Sequence, residues 1–563
     1  MADAARIVPS LLSEAARNIA QGRLTKARRL CERAVAMDRG NPDAHMLLGD
    51  VLARRRDPAG AVRSYARALE IAPRHVGALT NLGLLHREQG NFAAAVVALR
   101  KAHEVEPASD QLLYNLARTL FDAGLFEDAV AQFRRLVTRK SDIAEYWLSL
   151  GGALEQARRF DEAIDSYARA IELKPDWPLP RVRLGRTLQI VGDLDRAVEV
   201  LDQAIAIAPR DPRANFLLAG MPSSGEGEWI AIERIQTAFE YGADPDAQAY
   251  LHFAAGKLYE RLRDYSSAYR HYAEGNRIRK ASLTFDHEEL RLWGDRLTEA
   301  FSPELYEGRP ARGDATAQPV FIVGMLGSGT TLVEQICAAH PAVAGGGDIS
   351  TMGGIEREIS LVDAKGGPFT DVVGSLSDER IAELARRYLD ALPAAAREAQ
   401  RFTDKLAANF ARLGLIALLF PNARVIACRR QPLATATSIL FENVDATAPY
   451  AYDVDDLAAL YAYHDRLMAH WRKVLPIALM EVDYEALVAS SEEEIRAIIS
   501  FLDLPWDDAC LGFHEVRNPV TTPGYYRVRQ PIDDTSVGRW RLFEKHLGPL
   551  KEALARHGVI TVQ

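Results

Sequence analysis

The sequence predicts an α + α/β chain: an N-terminal α-solenoid of helical repeats, then an α/β domain whose parallel sheet is built around a P-loop-like turn. Two observations carry that reading. Alanine recurs every 34 residues through the first 200 or so positions, and a fixed period of that size is the signature of stacked helical hairpins. Residues 319–331 then read Pro-Val-Phe-Ile-Val-Gly-Met-Leu-Gly-Ser-Gly-Thr-Thr, an apolar strand running into a glycine-rich turn.

The repeats come first. Ala27, Ala61, Ala95, Ala129, Ala163 and Ala197 keep the period without a break. Seven residues later stand Ala34, Ala68, Ala102, Ala170 and Ala204, with Leu136 in the remaining slot, while Gly49, Gly83, Gly151 and Gly185 mark the small position of the first helix. Small side chains there let paired helices approach closely. Pro73, Pro107, Pro175 and Pro209 punctuate the repeat ends, where proline can open a helix but not continue one. The pattern is that of six tetratricopeptide repeats over residues 8–211. The register weakens in the loop-like stretch after Met221 and returns at Gly256 and Ala268, so residues 212–300 are expected to hold degenerate repeats and a helical connector. A turn-rich linker beginning at Glu307 leads to the second domain, residues 318–563. The concave face of such a stack usually binds a peptide or protein. A structural scaffold, or one that makes a homodimer, is the alternative.

Composition sets the outer limits. At 563 residues the chain exceeds one core, and 48% apolar with 26% charged residues is ordinary for a globular protein. A net charge of −9 argues against wholesale nucleic-acid binding, and no apolar run is long enough for a membrane span. The N-terminus carries early charges of both signs and no signal-like apolar stretch. Cys31, Cys337, Cys428 and Cys510 are widely spaced in the sequence, which predicts neither a disulfide framework nor a metal cluster and makes the cytoplasm the expected location.

Apolar runs at Val320–Val323, Arg424–Cys428 and Ile477–Val482 alternate with long helical patterns, as in a parallel sheet with crossover helices. Ligands of such sheets sit at the carboxyl ends of the strands. The glycine turn after Val323 and the arginine pair after Cys428 both fall there. Gly324 to Gly329 has Walker A spacing, yet Thr330 stands where the lysine is expected. A loop of Gly327, Ser328, Gly329, Thr330 and Thr331 suits an anionic group held by N–H donors and a helix N-terminus without metal. A ligand-free turn is the competing reading, and a Mg²⁺-dependent kinase is disfavoured by Thr330.

Taken with Phe321-Ile-Val-Gly-Met, Ser328-Gly-Thr-Thr-Leu-Val-Glu-Gln-Ile and Ala339-His-Pro, the loop resembles the phosphosulfate loop of bacterial tetratricopeptide-repeat sulfotransferases, relatives of the protein-tyrosine sulfotransferases. The resemblance implies a sulfotransferase domain that uses 3′-phosphoadenosine 5′-phosphosulfate (PAPS) as donor and no metal. It extends to Arg429-Arg430-Gln431-Pro432 with Ser438, and to Val528-Arg529-Gln530-Pro531-Ile532 with Ser536-Val537-Gly538-Arg539-Trp540. By that likeness Arg429 and Ser438 read the 3′-phosphate, Tyr484 contacts adenine, and Arg529, Ser536 and Arg539 close over the nucleotide. Asp404-Lys405 matches the block that supplies a catalytic lysine, and Asp348 stands where the family has a glutamate base. The chain departs from the family at Gly327, where an arginine is usual, at Asp348, and at Gln431, where an aspartate is usual. The expected function is therefore a PAPS-dependent sulfotransferase acting on a hydroxyl of a peptide or protein presented by the repeats; a catalytically degenerate nucleotide-binding protein or a repeat adaptor is the alternative.

Overall fold

The computed structural model describes residues 2–221, 227–242, 244–307, 313–362, 368–444, 447–516, 518–522 and 525–561. The chain divides into two compact units, Met1–Thr187 and Leu188–Gln563. Parts of the two expected loops, 222–226 and 308–312, lie outside the described residues. No described helix is long and apolar enough to cross a membrane.

The first unit is a run of antiparallel helix pairs, such as Pro42–Arg54 with Pro58–Ile71 and Ala144–Gln156 with Phe160–Leu173. The periodic alanines explain the stacking: Ala27, Ala61, Ala95, Ala129 and Ala163 are fully buried. At Gly49 and Gly151 the residue is small because an aromatic ring lies against it, and at Gly83 because Leu99 does. A Cβ on Gly49 would stand 2.5 Å from the Tyr65 ring, and one on Gly151 2.6 Å from Tyr167. Each pair is joined by a turn that needs one left-handed residue. That residue recurs at Gly22, Arg56, Gly90, Gly124 and Arg158; glycine adopts this conformation at little cost, and arginine pays for it at the other two.

The second unit opens on further repeat helices, including Pro245–Arg261 and Tyr265–Lys280, where Gly256 again faces Tyr272. These helices are part of the same body as the sheet. Tyr272 stacks on Phe441 with ring centroids 4.3 Å apart, Asn276 Nδ2 donates to the Leu440 carbonyl at 2.8 Å, and Lys257 pairs with Glu442 at 2.7 Å.

The sheet has five parallel strands: β1 (Pro319–Gly324), β2 (Val343–Gly345), β3 (Arg401–Asp404), β4 (Arg424–Arg429) and β5 (Ala478–Asp483), in the order β2-β3-β1-β4-β5. Both faces are covered. Val320 and Ile322 enter one core with Ile426, Cys428 and Val482, whereas Phe321 and Val323 enter the other with Phe402 and Val425. This two-sided burial makes β1 a continuous apolar run rather than an alternating one. β2 and β3 are absent from the strands expected from sequence, since three or four residues are too short for a periodic signal. Three of the scattered cysteines, Cys337, Cys428 and Cys510, meet in the first of these cores as free, buried thiols.

Candidate functional site

Each strand delivers something to one end of the sheet. β1 runs into the glycine loop, whose turn closes through the Ser328 N–H on the Met325 carbonyl at 3.1 Å, and the helix Thr330–Ala338 starts from it. Gly327 and Gly329 have φ of 77° and 103°, conformations other residues adopt only under strain. A Cβ on Gly329 would meet Tyr484 at 2.7 Å, so the loop passes directly under that ring, which begins the helix after β5. Ser328 is 2% exposed and its hydroxyl has no hydrogen-bond partner among the described residues. A buried, unsatisfied hydroxyl in such a loop is costly unless a ligand completes it.

β2 and β3 bring Asp348 and Lys405 together. The Lys405 N–H donates to the Gly347 carbonyl, and its Nζ reaches Asp348 Oδ1 at 2.9 Å. Lys405 is 2% exposed and follows a strand rather than facing solvent from a helix. Glu334, also buried, accepts from the Gly347 N–H at 2.6 Å and so fixes the backbone ahead of Asp348. Beneath the pair lies Asp404, fully buried, accepting from Tyr388 Oη at 2.8 Å and Asn409 Nδ2 at 3.2 Å. Burial pushes its carboxyl up to about 8.

β4 separates its two arginines. Arg429 is the last strand residue, its side chain 60% exposed and paired with Glu481 at 3.1 Å. Arg430 turns inward: it donates to the Gly327 carbonyl at 3.0 Å and the Ser536 carbonyl at 2.6 Å, and its guanidinium lies 4.4 Å from the Tyr484 ring centroid. Desolvation lowers its pKa, yet an arginine stays charged, and its Nε has no partner among the described residues. Ser438, in the helix Pro432–Leu440, stands against Gly327, and its neighbour Thr437 has an unpartnered buried hydroxyl. A cavity of about 130 Å³ opens here, lined among others by Met325, Ser328, Cys428, Arg429, Arg430 and Tyr461. Gln431 takes the Trp540 indole N–H at 3.0 Å, holding the C-terminal segment.

The three C-terminal residues expected over the nucleotide part company. Ser536, 9% exposed, lies at the site through its carbonyl on Arg430, and its hydroxyl accepts from Arg527. Arg529 instead donates to the carbonyls of Ile190 at 2.6 Å and Asn518 at 3.0 Å. Arg539 makes a two-pronged ion pair with Glu260, 2.6 Å on each arm. Both reach repeat helices rather than the loop.

Three residues escaped the sequence reading. Arg527 donates to the Ser536 hydroxyl, and desolvation lowers its pKa; its only signal is the Arg527-Val-Arg529 spacing, which lets either arginine match the block. Thr521 donates to Asp348 Oδ2 at 2.9 Å, and Thr522 shares a 2.9 Å hydrogen bond with Thr331. No motif marks them. One further group among the described residues, His287 with Asp455 and His557, has ligand atoms close enough for a metal ion, and Arg556 already occupies its carboxylate at 2.7 Å. It shares no residue with the site.

Comparison with known proteins agrees with this architecture. Residues 319–508 match the sulfotransferase family, and residues 14–178 and 154–220 match tetratricopeptide repeats. An uncharacterized protein of Aquifex aeolicus (strain VF5) is 32% identical over 331 residues, 57% of this chain and 44% of that one. Protein-tyrosine sulfotransferase A of Caenorhabditis elegans is 28% identical over 222 residues, 36% of this chain and 54% of the relative. The protein-tyrosine sulfotransferase of Drosophila melanogaster is 27% identical over 241 residues, 39% and 46% of the two chains. This chain thus spans about half the length of the curated relatives it matches. Among solved structures, the tetratricopeptide-repeat protein YrrB, described with an unusual peptide-binding site, covers 33% of this chain and 95% of its own at 21% identity and a TM-score of 0.30. The chain thus carries tetratricopeptide repeats in front of a domain that matches the sulfotransferase family.

Proposed function

We propose that this protein transfers a sulfuryl group from PAPS to a hydroxyl of a peptide or protein, with residues 318–563 as the catalytic domain and the repeats as the acceptor-recognising part. The observation that carries the reading is the Lys405–Asp348 contact at 2.9 Å beside the loop. Asp348 and Thr331 are touched by adjacent residues, Thr521 and Thr522, whose Cα atoms are about 3.8 Å apart. Base, cation and loop hydroxyl therefore face one small space.

In that space the N–H groups of the loop and the first turn of the helix Thr330–Ala338 hold the donor's 5′-phosphosulfate, and Ser328 finds the partner it lacks. Arg430, rather than Arg429, reads the 3′-phosphate with Ser438, because Arg430 is half-buried, charged and turned toward Gly327 while Arg429 is exposed and taken by Glu481. Arg527 and Ser536 complete the cationic wall, and Tyr484 offers its ring to adenine. Asp348 accepts the proton of the attacking hydroxyl, and Lys405 steadies the charge that grows on the departing phosphate. Thr330 in place of the Walker lysine supports a reading without metal. Gly327→Arg is not expected to improve turnover, since φ of 77° and the Ser438 Cβ at 3.3 Å from an added Cβ oppose it.

The test is a pair of measurements on the full chain with PAPS and a tyrosine-containing peptide. Lys405→Ala is expected to lower turnover on the order of a hundredfold or more while calorimetry shows unchanged affinity for adenosine 3′,5′-bisphosphate. Turnover equal to wild type contradicts the role of Lys405; no binding of the bisphosphate by wild type contradicts the nucleotide site and favours the adaptor reading.

A further inference from the structure

The segment Asn518–Thr522 touches both the proposed base and the glycine loop. Thr521 Oγ1 donates to Asp348 Oδ2 at 2.9 Å, while the other carboxylate oxygen is held by Lys405 at 2.9 Å. Thr522 Oγ1 lies 2.9 Å from Thr331 Oγ1 on the loop. Val520, 3% exposed, anchors the segment by donating its N–H to the Ile190 carbonyl at 2.9 Å, in the last turn of the repeat helix Pro178–Val191. Arg529 clamps the same carbonyl and that of Asn518.

An acceptor hydroxyl positioned for deprotonation by Asp348 must donate a hydrogen bond to it. Thr521 makes that bond with a side-chain hydroxyl carried on a peptide segment, which is the chemistry proposed for the acceptor. Oδ2 is the carboxylate oxygen not taken by Lys405, so an acceptor competes with Thr521 for it. We infer that Asn518–Thr522 is a built-in stand-in for the acceptor, seated on Asp348 through Thr521 and tied at Val520 to the end of the repeats. The inference rests on Asp348 being the base. Its consequence is that acceptor affinity is reduced by the fraction of molecules in which the segment is seated, and that whatever strains Ile190 in the repeats changes that fraction.

The experiment compares wild type, Thr521→Val and Thr521→Ser in the full chain. Valine keeps the volume and loses the hydroxyl; serine keeps the hydroxyl. Hydrogen exchange at the Val520 amide reports seating independently of activity. We expect Thr521→Val to exchange about tenfold faster, as removal of one hydrogen bond to a charged group implies, and Thr521→Ser to match wild type. With PAPS and a tyrosine-containing peptide, Thr521→Val should show a KM about tenfold lower with kcat unchanged. Equal exchange in all three proteins overturns the inference. A fall in kcat with KM unchanged also overturns it, since Thr521 then positions Asp348 for catalysis. Adenosine 3′,5′-bisphosphate calorimetry on the same samples separates the two levels: binding with unchanged exchange refutes the stand-in alone, and absent binding refutes the nucleotide site beneath it.

Discussion

Glu155 and Glu260 hold equivalent places in two repeats, and their partners differ. Each accepts a hydrogen bond from a tyrosine twelve residues on, Tyr167 at 3.3 Å and Tyr272 at 2.9 Å. Within the first unit Glu155 is completed by Arg186 at 2.9 Å and Thr187 at 2.7 Å, which belong to the next repeat helix. Within the second unit the array has ended, and Glu260 is completed by Arg539 from the C-terminal segment. Repeat stacks need a cap because each hairpin buries its face on its neighbour. Here the C-terminal segment of the sheet domain supplies the cap, and the arginine whose sequence block resembles a nucleotide clamp is used there. Burial opposes the charge on Arg539, and Glu260 more than offsets this, raising its pKa.

The comparison can be broken at either acid. Glu260→Gln leaves the largely covered Arg539, 16% exposed, without a counter-charge, and removal of one member of a buried pair typically costs several kcal/mol; we expect about 3 kcal/mol, the low end for such a pair, by urea unfolding. Glu155→Gln should cost about 1 kcal/mol, because Arg186 is 42% exposed and can turn to water. Equal losses at the two sites would show that the C-terminal segment does not cap the array.

A pH dependence sharpens the contrast between these paired acids and Asp404, whose hydrogen-bond partners among the described residues, Tyr388 and Asn409, are uncharged. Its carboxyl is raised to about 8 by burial, against roughly 4 in the unfolded chain. Between those values the folded state holds a proton that the unfolded state has lost, so stability falls as pH rises from about 4 to 8. Asp404→Asn should flatten that slope, read as Tm across the range; an unchanged slope would mean that Asp404 is ionised in the folded protein.

The repeats were legible because each requirement is stated many times: the buried alanine at every 34th position speaks for the same contact in each hairpin. Arg56 and Arg158 in the left-handed slots show where even that signal thins, since glycine is favoured there and not required. The site residues occur once each. Strand ends after β1 and β4 could be read from apolar runs, whereas β2 and β3, too short to announce themselves, hid the fact that Asp348 and Lys405 meet. Arg429 and Arg430 are adjacent and chemically identical; only the register of β4 against β5, which keeps Arg429 within the strand opposite Asp483, separates them. Thr521 and Thr522 are invisible to any motif because their role comes from a segment folded back from near the C-terminus.

The central claim, that the glycine loop and Arg430 form a donor-nucleotide site, is tested most directly by calorimetry with adenosine 3′,5′-bisphosphate on Arg430→Ala and Arg429→Ala. We predict that Arg430→Ala weakens binding by about 1.5 to 3 kcal/mol, the range for a charge-assisted hydrogen bond, and that Arg429→Ala, already satisfied by Glu481, changes it by less than about 0.5 kcal/mol. A loss confined to Arg429→Ala, or no loss in either folded variant, would contradict it.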